Sequence, residues 1–210
     1  KRHGATGFED LIAEGYLPEV IINYIALLGW CPKGNEEIFS LAQLEKEFSV
    51  ENISKSPAVF DYKKLQWFNA EYLRVMTDEE FTAVAKPYYD SVFGDTPYDG
   101  AKLTAILKAR TVQLTDIPGM IKFFKELPDY DKELFVNKKS KTNLENSPEI
   151  LKIVTDRLSA LDNWNAEAIK ELLINLAAEL ELKNGTVMWP ARIAASGQTV
   201  TPGGAVEILD

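Results

Sequence analysis

Residues 165–182 read NAEAIKELLINLAAELEL, and this stretch decides the fold class. Ile169, Leu172, Leu173, Leu176 and Leu180 recur at three- and four-residue steps, so they share one face of a 3.6-residue helix. Asn165 stands ahead of the run, where its side-chain oxygen can accept from N–H groups that a helix start leaves unpaired. Gly185 is the expected stop. Such a stripe gains most of its stability by packing against other helices, so the flanking sequence should supply them.

Upstream, Ser147-Pro148-Glu149 predicts a helix start with a serine cap and a proline in the first turn. The polar stretch Lys138 to Ser147, with lysines at 138, 139 and 141, reads as a mobile connection. Residues 117–127 predict a short helix ending at Leu127-Pro128-Asp129, a proline-bounded break and the best internal boundary. Lys102 to Val112 places Leu103, Ile106 and Leu107 on one helical face, and Gly94 to Gly100 is rich in turn residues. Thr77 with Glu80 is a capping box, opening a helix through Ala85 that stops near Pro87. Asp61 to Met76 carries Leu65, Phe68, Tyr72 and Val75 at helical spacing, which also places Trp67 in the core. Ser40 with Gln43 is a second capping box. Pro18 suits the first turn of a helix over Val20 to Leu28, with Gly29 as its left-handed cap. Phe8 to Ile12 is a short amphipathic turn ended by Gly15. Downstream, Trp189-Pro190 precedes a short helix, Ala191 to Ser196, and the turn Thr201-Pro202-Gly203-Gly204. No period-two alternation is sustained and no repeat is present, so the fold class is all-α.

Composition narrows the function. Hydrophobic residues make up 46% and charged residues 26%, the balance of a globular chain rather than a disordered one. The longest apolar stretch, Val20 to Trp30, is interrupted by Asn23 and is far shorter than the ~18 residues a bilayer requires, so no membrane role is expected. The single cysteine, Cys31, excludes an internal disulfide or a zinc cluster and fits a reducing, cytoplasmic compartment. The single histidine, His3, leaves no Ser/His/Asp or Cys/His nucleophile system, and no glycine-rich phosphate loop is present. Acid groups such as Glu36-Glu37 and Asp78-Glu79-Glu80 sit at helix starts, where they complement the helix dipole. The net charge of −9 opposes phosphate binding on average, though not on every face. The chain opens at Lys1 rather than methionine and stops at Asp210 after an apolar run, which reads as a stretch cut from something longer.

Four segments, in order, carry a resemblance. The chain opens KRHGA and continues EGYLPEVIINYIALLGW; next comes SKSPAVFD with KLQWFNAEYLR; then KARTVQLTDIP, the loosest; and last WPARIAASGQTVTPGGAVEIL. Together they resemble the C-terminal half of bacterial-type glutamyl-tRNA synthetases, which are class I aminoacyl-tRNA synthetases. In that family the second signature, K-(I/L)-S-K-R, precedes the same glycine-alanine turn, so Lys1 and Arg2 match its last two positions. Ser54-Lys55-Ser56 imitates the signature in the wrong place and reads as a structural turn beside Pro57.

The resemblance implies a stem-contact region over residues 1–74 and a two-part helical anticodon-binding cage, its parts at 75–127 and 128–210. It implies a parent enzyme that attaches glutamate to its tRNA with ATP and Mg; the fragment itself would hold no cofactor, no metal and no catalytic residue. Lys1 would reach ATP in the parent only. Arg110 would read the third anticodon base, its guanidinium fork suited to a cytosine carbonyl oxygen. Arg192, Thr201, Pro202 and Gly204 would line the anticodon pocket; some relatives carry a larger apolar residue in place of Gly204. The implied partner is glutamate tRNA, without DNA and with the protein a monomer. Composition alone favours a different reading, an acidic helical module that binds protein and never meets RNA. Arg110 and Arg192 lying far apart, or buried in internal ion pairs, would favour that second reading.

Overall fold

The computed structural model describes residues 7–54 and 58–210. Lys1 and Arg2 therefore lie outside the described residues, as do Lys55, Ser56 and Pro57 from the stretch expected to turn after Ser54. Among the described residues, eleven α-helices are linked by loops and short 3₁₀ turns, and the only strand-like pairings are two isolated bridges. No helix is long and apolar enough to cross a membrane among the described residues. The all-α expectation is met. The chain divides into two compact units, residues 1–119 and 120–210.

The first unit contains α1 (Phe8–Ala13), α2 (Pro18–Gly29), α3 (Leu41–Glu47), α4 (Tyr62–Val75), α5 (Asp78–Phe93) and α6 (Gly100–Leu107); the division falls within α7 (Ile117–Ile121). Helix α2 packs on α4, where the Tyr24 ring meets Phe60 at 5.1 Å and Phe68 at 5.8 Å, both edge-on. Asn23, which interrupts the apolar run, is 1% exposed. Its side chain accepts from Phe39 N at 2.8 Å and donates to Glu37 O at 3.0 Å, fastening the loop ahead of α3. Both capping boxes form, Ser40 with Gln43 and Thr77 with Glu80.

Three readings of this unit are corrected. Gly29 is the last residue of α2, followed by extended Trp30, because the chain turns there into an antiparallel bridge with Ile53 instead of a left-handed cap. Helix α5 continues through Pro87 to Phe93. An interior proline costs about 3 kcal/mol, but Phe81, Ala85, Tyr89 and Phe93 are at most 5% exposed, and large side chains buried on one stripe return about 1.5–3 kcal/mol each. The stripe wins and the helix persists. Finally, Trp67 is 46% exposed, because the buried face of α4 is Leu65, Phe68, Asn69 and Leu73.

The second unit contains α8 (Asn146–Ser159), α9 (Ala166–Glu179), α10 (Asn184–Ser196) and α11 (Ala205–Leu209). Helices α8, α9 and α10 pack on one another around Ile150, Val154, Leu158, Ile169, Leu173, Leu176, Ala177, Val187 and Ala191. Asn165 caps α9 through Ala168 N at 2.9 Å. Gly185 does not end that helix; it lies in α10, and Glu181 takes the left-handed turn at φ 53°. Leu182 N reaches back to Ala177 O at 2.8 Å there, pairing a carbonyl the helix end leaves free. Ser147 does not cap α8 but is buried inside it; Glu145 precedes the helix, and Asn143 just upstream accepts from Glu145 N and Asn146 N at 2.8 Å. The stretch read as a mobile connection is instead a tied turn: Asn137 and Thr142 exchange backbone bonds of 3.0 and 3.1 Å. Helix α10 begins seven residues before Ala191 and contains Pro190, which is buried.

Candidate nucleic-acid interface

Arg110 stands just past α6 in the first unit. Its backbone N–H donates to Leu107 O at 2.8 Å, closing the helix, and its side chain is exposed with no ion pair or hydrogen bond among the described residues. The chain that follows is tightly held. Asn69, fully buried on α4, donates to Val112 O at 2.6 Å and to Gly15 O at 3.4 Å, and accepts from Leu17 N at 2.9 Å. Gln113 Nε2 and Thr115 Oγ1 both donate to Glu14 O, at 3.0 and 2.7 Å, and Leu114 N donates to Gly15 O at 3.1 Å. Gly15 has φ +90°, and a Cβ there would lie 2.6 Å from Thr115 N, so only glycine admits this approach. An exposed side chain is thus mounted next to a backbone held by several hydrogen bonds.

In the second unit Arg192 projects from α10, half-buried, with its Cζ 4.6 Å from the centre of the Trp189 ring. Trp189 is held in turn by its indole N–H, which donates to Leu134 O at 2.9 Å. The Nε of Arg192 is buried without a partner among the described residues, an arrangement that costs about 1–3 kcal/mol. Burial pushes the guanidinium's pKa down from its ordinary value, though an arginine remains charged at neutral pH. No carboxylate of the described residues pairs with it, so neither arginine shows the internal ion pairing of the protein-binding alternative.

Helix α10 ends at Ser196, whose Oγ donates to Arg192 O at 2.7 Å and accepts from Gln198 N at 3.1 Å. Gly197 follows with φ +65°, and a Cβ there would meet the Tyr130 ring at 2.7 Å. Thr201 and Pro202 are buried, and Thr201 Oγ1 donates to Gly203 O at 2.6 Å, tightening the turn. Gly204 caps α11, which packs on α10. A Cβ at Gly204 would lie 2.8 Å from Glu207 Oε2, so the carboxylate fills the space a larger residue would take. Arg192, Thr201, Pro202 and Gly204 thus share one unit and one pair of packed helices, though no hydrogen bond joins the Arg192 side chain to the turn among the described residues. Arg110 belongs to the other unit, and Lys1 lies outside the described residues. No group of three metal-ligating side chains is present among the described residues. Sequence reasoning missed the Asn69 clamp and the pairing of Trp189 with Arg192; the three-residue spacing of that pair was the available signal.

Helical units that present unpaired arginines beside tight turns are suited to reading an RNA loop. Comparison with known proteins gives the class: the chain belongs to the anticodon binding domain family, whose profile matches residues 63–210. Residues 1–67 match the catalytic domain of class I tRNA synthetases of the E and Q type. The chain is 49% identical over its whole length to the glutamate–tRNA ligases of Clostridium botulinum and Clostridium tetani, and spans 43% of each. Among solved structures, the glutamate tRNA ligase of Elizabethkingia meningosepticum in complex with its amino acid superposes with a TM-score of 0.82 at 31% identity, over 98% of this chain and 40% of that one. The glutamate–tRNA synthetase of Elizabethkingia anophelis follows with a TM-score of 0.76 at 29% identity.

Proposed function

We propose that this chain is the tRNA-reading part of a glutamate–tRNA ligase, contributing binding energy and specificity rather than the chemical step. The observation that carries the reading is a pair of unpaired guanidiniums, Arg110 and Arg192, inside the stretch matched by the anticodon-binding family. In an acidic chain an arginine has many carboxylates available, and leaving two without one keeps their donor forks for an outside acceptor. Arg110 discriminates the third anticodon base by donating to the carbonyl oxygen of a cytosine, which a guanine's N–H groups cannot replace. Arg192, with the Thr201 to Gly204 turn, holds an unstacked base of the loop. Residues 1–74 follow the inside of the tRNA's stem, and 75–127 and 128–210 form the two parts of the anticodon cage. ATP and Mg serve the longer parent protein.

Titration of the 210-residue chain with a glutamate tRNA transcript, at 50 and 200 mM salt, tests this. A variant transcript whose third anticodon base is G instead of C is measured beside it. The expected result is salt-sensitive binding, about tenfold weaker for the variant, with Arg110→Ala abolishing the difference. Equal binding of both transcripts removes Arg110 as the discriminator. No binding at the lower salt returns the chain to the acidic protein-binding alternative.

A further inference from the structure

Trp189 invites the reading of a stacking platform for a base, but the face of its ring is already engaged. Trp189 and Arg192 are three residues apart on α10, a spacing that places them on one side of the helix. The guanidinium carbon lies 4.6 Å from the ring centre, in the range where the negative face of an indole attracts a cation. The ring itself is fixed at its far edge by the 2.9 Å bond from its N–H to Leu134 O. Neither the buried Nε nor the terminal nitrogens carry a hydrogen bond to any described residue. What orients this arginine is therefore an aromatic face and not a carboxylate, which leaves the donor fork unspent and its net charge uncompensated.

Resting on the tRNA-binding reading above, we propose that Trp189 is a positioning residue for Arg192. Its indole, pinned by Leu134, holds the guanidinium in one orientation for the acceptor oxygens of an unstacked RNA nucleotide. A carboxylate in the same place would orient the group equally well but would neutralise it and consume the donors that RNA needs. A flexible, unsupported arginine would keep its donors and lose rotamer freedom on every binding event. The aromatic face avoids both costs.

A double-mutant cycle on the 210-residue chain, read as affinity for a glutamate tRNA transcript at 50 mM salt, tests the assignment. Arg192→Ala is expected to weaken binding about tenfold and Trp189→Leu about fivefold. The double variant should bind no more weakly than Arg192→Ala alone, because the ring acts only through the arginine. Trp189→Phe keeps an aromatic face and should stay within about twofold of the unsubstituted chain. The assignment is overturned if Trp189→Leu binds normally. Equal weakening by Trp189→Leu with and without Arg192 also overturns it, since the ring would then act on RNA or on the fold by itself. So does a Trp189→Phe variant as weak as Trp189→Leu, which would put the effect in the Leu134 bond. If Arg192→Ala binds normally, Arg192 leaves the interface and the inference goes with it. Failure of the unsubstituted chain to bind tRNA overturns the broader reading, a result readily told apart from the others.

Discussion

The two units hold themselves together by different means. In the second, a continuous aliphatic core joins α8, α9 and α10. In the first, the loops between helices are fastened by buried polar side chains: Asn23 and Asn69 each bond main-chain groups far away in sequence. Tyr24 and Tyr72 add hydroxyl bonds to Asp61 O at 3.0 Å and Phe39 O at 2.5 Å. The arginines follow the same division. Arg110 is free, but the backbone behind it is clamped by Asn69 and Gly15; Arg192 rides on a regular helix and has its side chain held by an aromatic face. An arginine can be oriented through its backbone or through its side chain, and Arg110 and Arg192 illustrate the two.

Substitutions sharpen the contrast. Leu173→Ala, at a site with no exposure, leaves a cavity in the aliphatic core and should cost about 4 kcal/mol in urea unfolding. Amide hydrogen exchange should show the loss of protection concentrated in residues 146–196. Equal loss throughout residues 7–119 would mean that the two units unfold as one block. Asn69→Ala should cost somewhat less, about 3 kcal/mol, by stranding Leu17 N and Val112 O in a buried site. Its signature is different: the preference for cytosine over guanine at the third anticodon base should shrink together with stability, because the clamp behind Arg110 is gone. Asn69→Ala with full discrimination would reduce the clamp to a stability device.

The same division explains what could be read from residues alone. The stripe from Ile169 to Leu180 was legible because periodicity reports burial directly, and Asn165 caps it as expected. Proline rules failed at Pro87 and Pro190, since a proline's cost is local while the burial that overrides it is tertiary. The rule for helix-ending glycine failed at Gly29 and Gly185, where the following chain is committed to a bridge or to a new helix. The face of α4 was misjudged because its central buried residue is polar: Asn69 turns inward and Trp67 turns out. A buried asparagine has no periodic signature, as its partners lie some 43 to 54 residues away. Arg110, Arg192 and the Thr201 to Gly204 turn were expected through resemblance alone; of these only Arg192 has a spacing signal, three residues from Trp189.

Alkaline pH gives the smallest and most local test. Burial pushes the phenol of Tyr16 up to about 12, with the Glu14 carboxylate adding to it. Burial likewise raises Tyr72 to about 12. Both lie in the first unit, and Tyr130 is the only tyrosine of the second. The fold favours the protonated phenol, so the stabilisation is fully present below the unfolded value near 10. As pH rises from 10 towards 12 the unfolded chain releases these protons first, and stability falls; above 12 the contribution is gone. Urea midpoints measured at pH 9, 10 and 11 should therefore decline, and a Tyr16→Phe/Tyr72→Phe variant should decline less steeply, whatever its stability at pH 9. Tyr72 is only half-buried, so its share of the difference in slope is modest. Hydrogen exchange at the same pH values should place the loss in residues 7–119. Parallel slopes for the two proteins would show that these phenols titrate alike folded and unfolded, and the polar fastening of the first unit would then be insensitive to their ionisation.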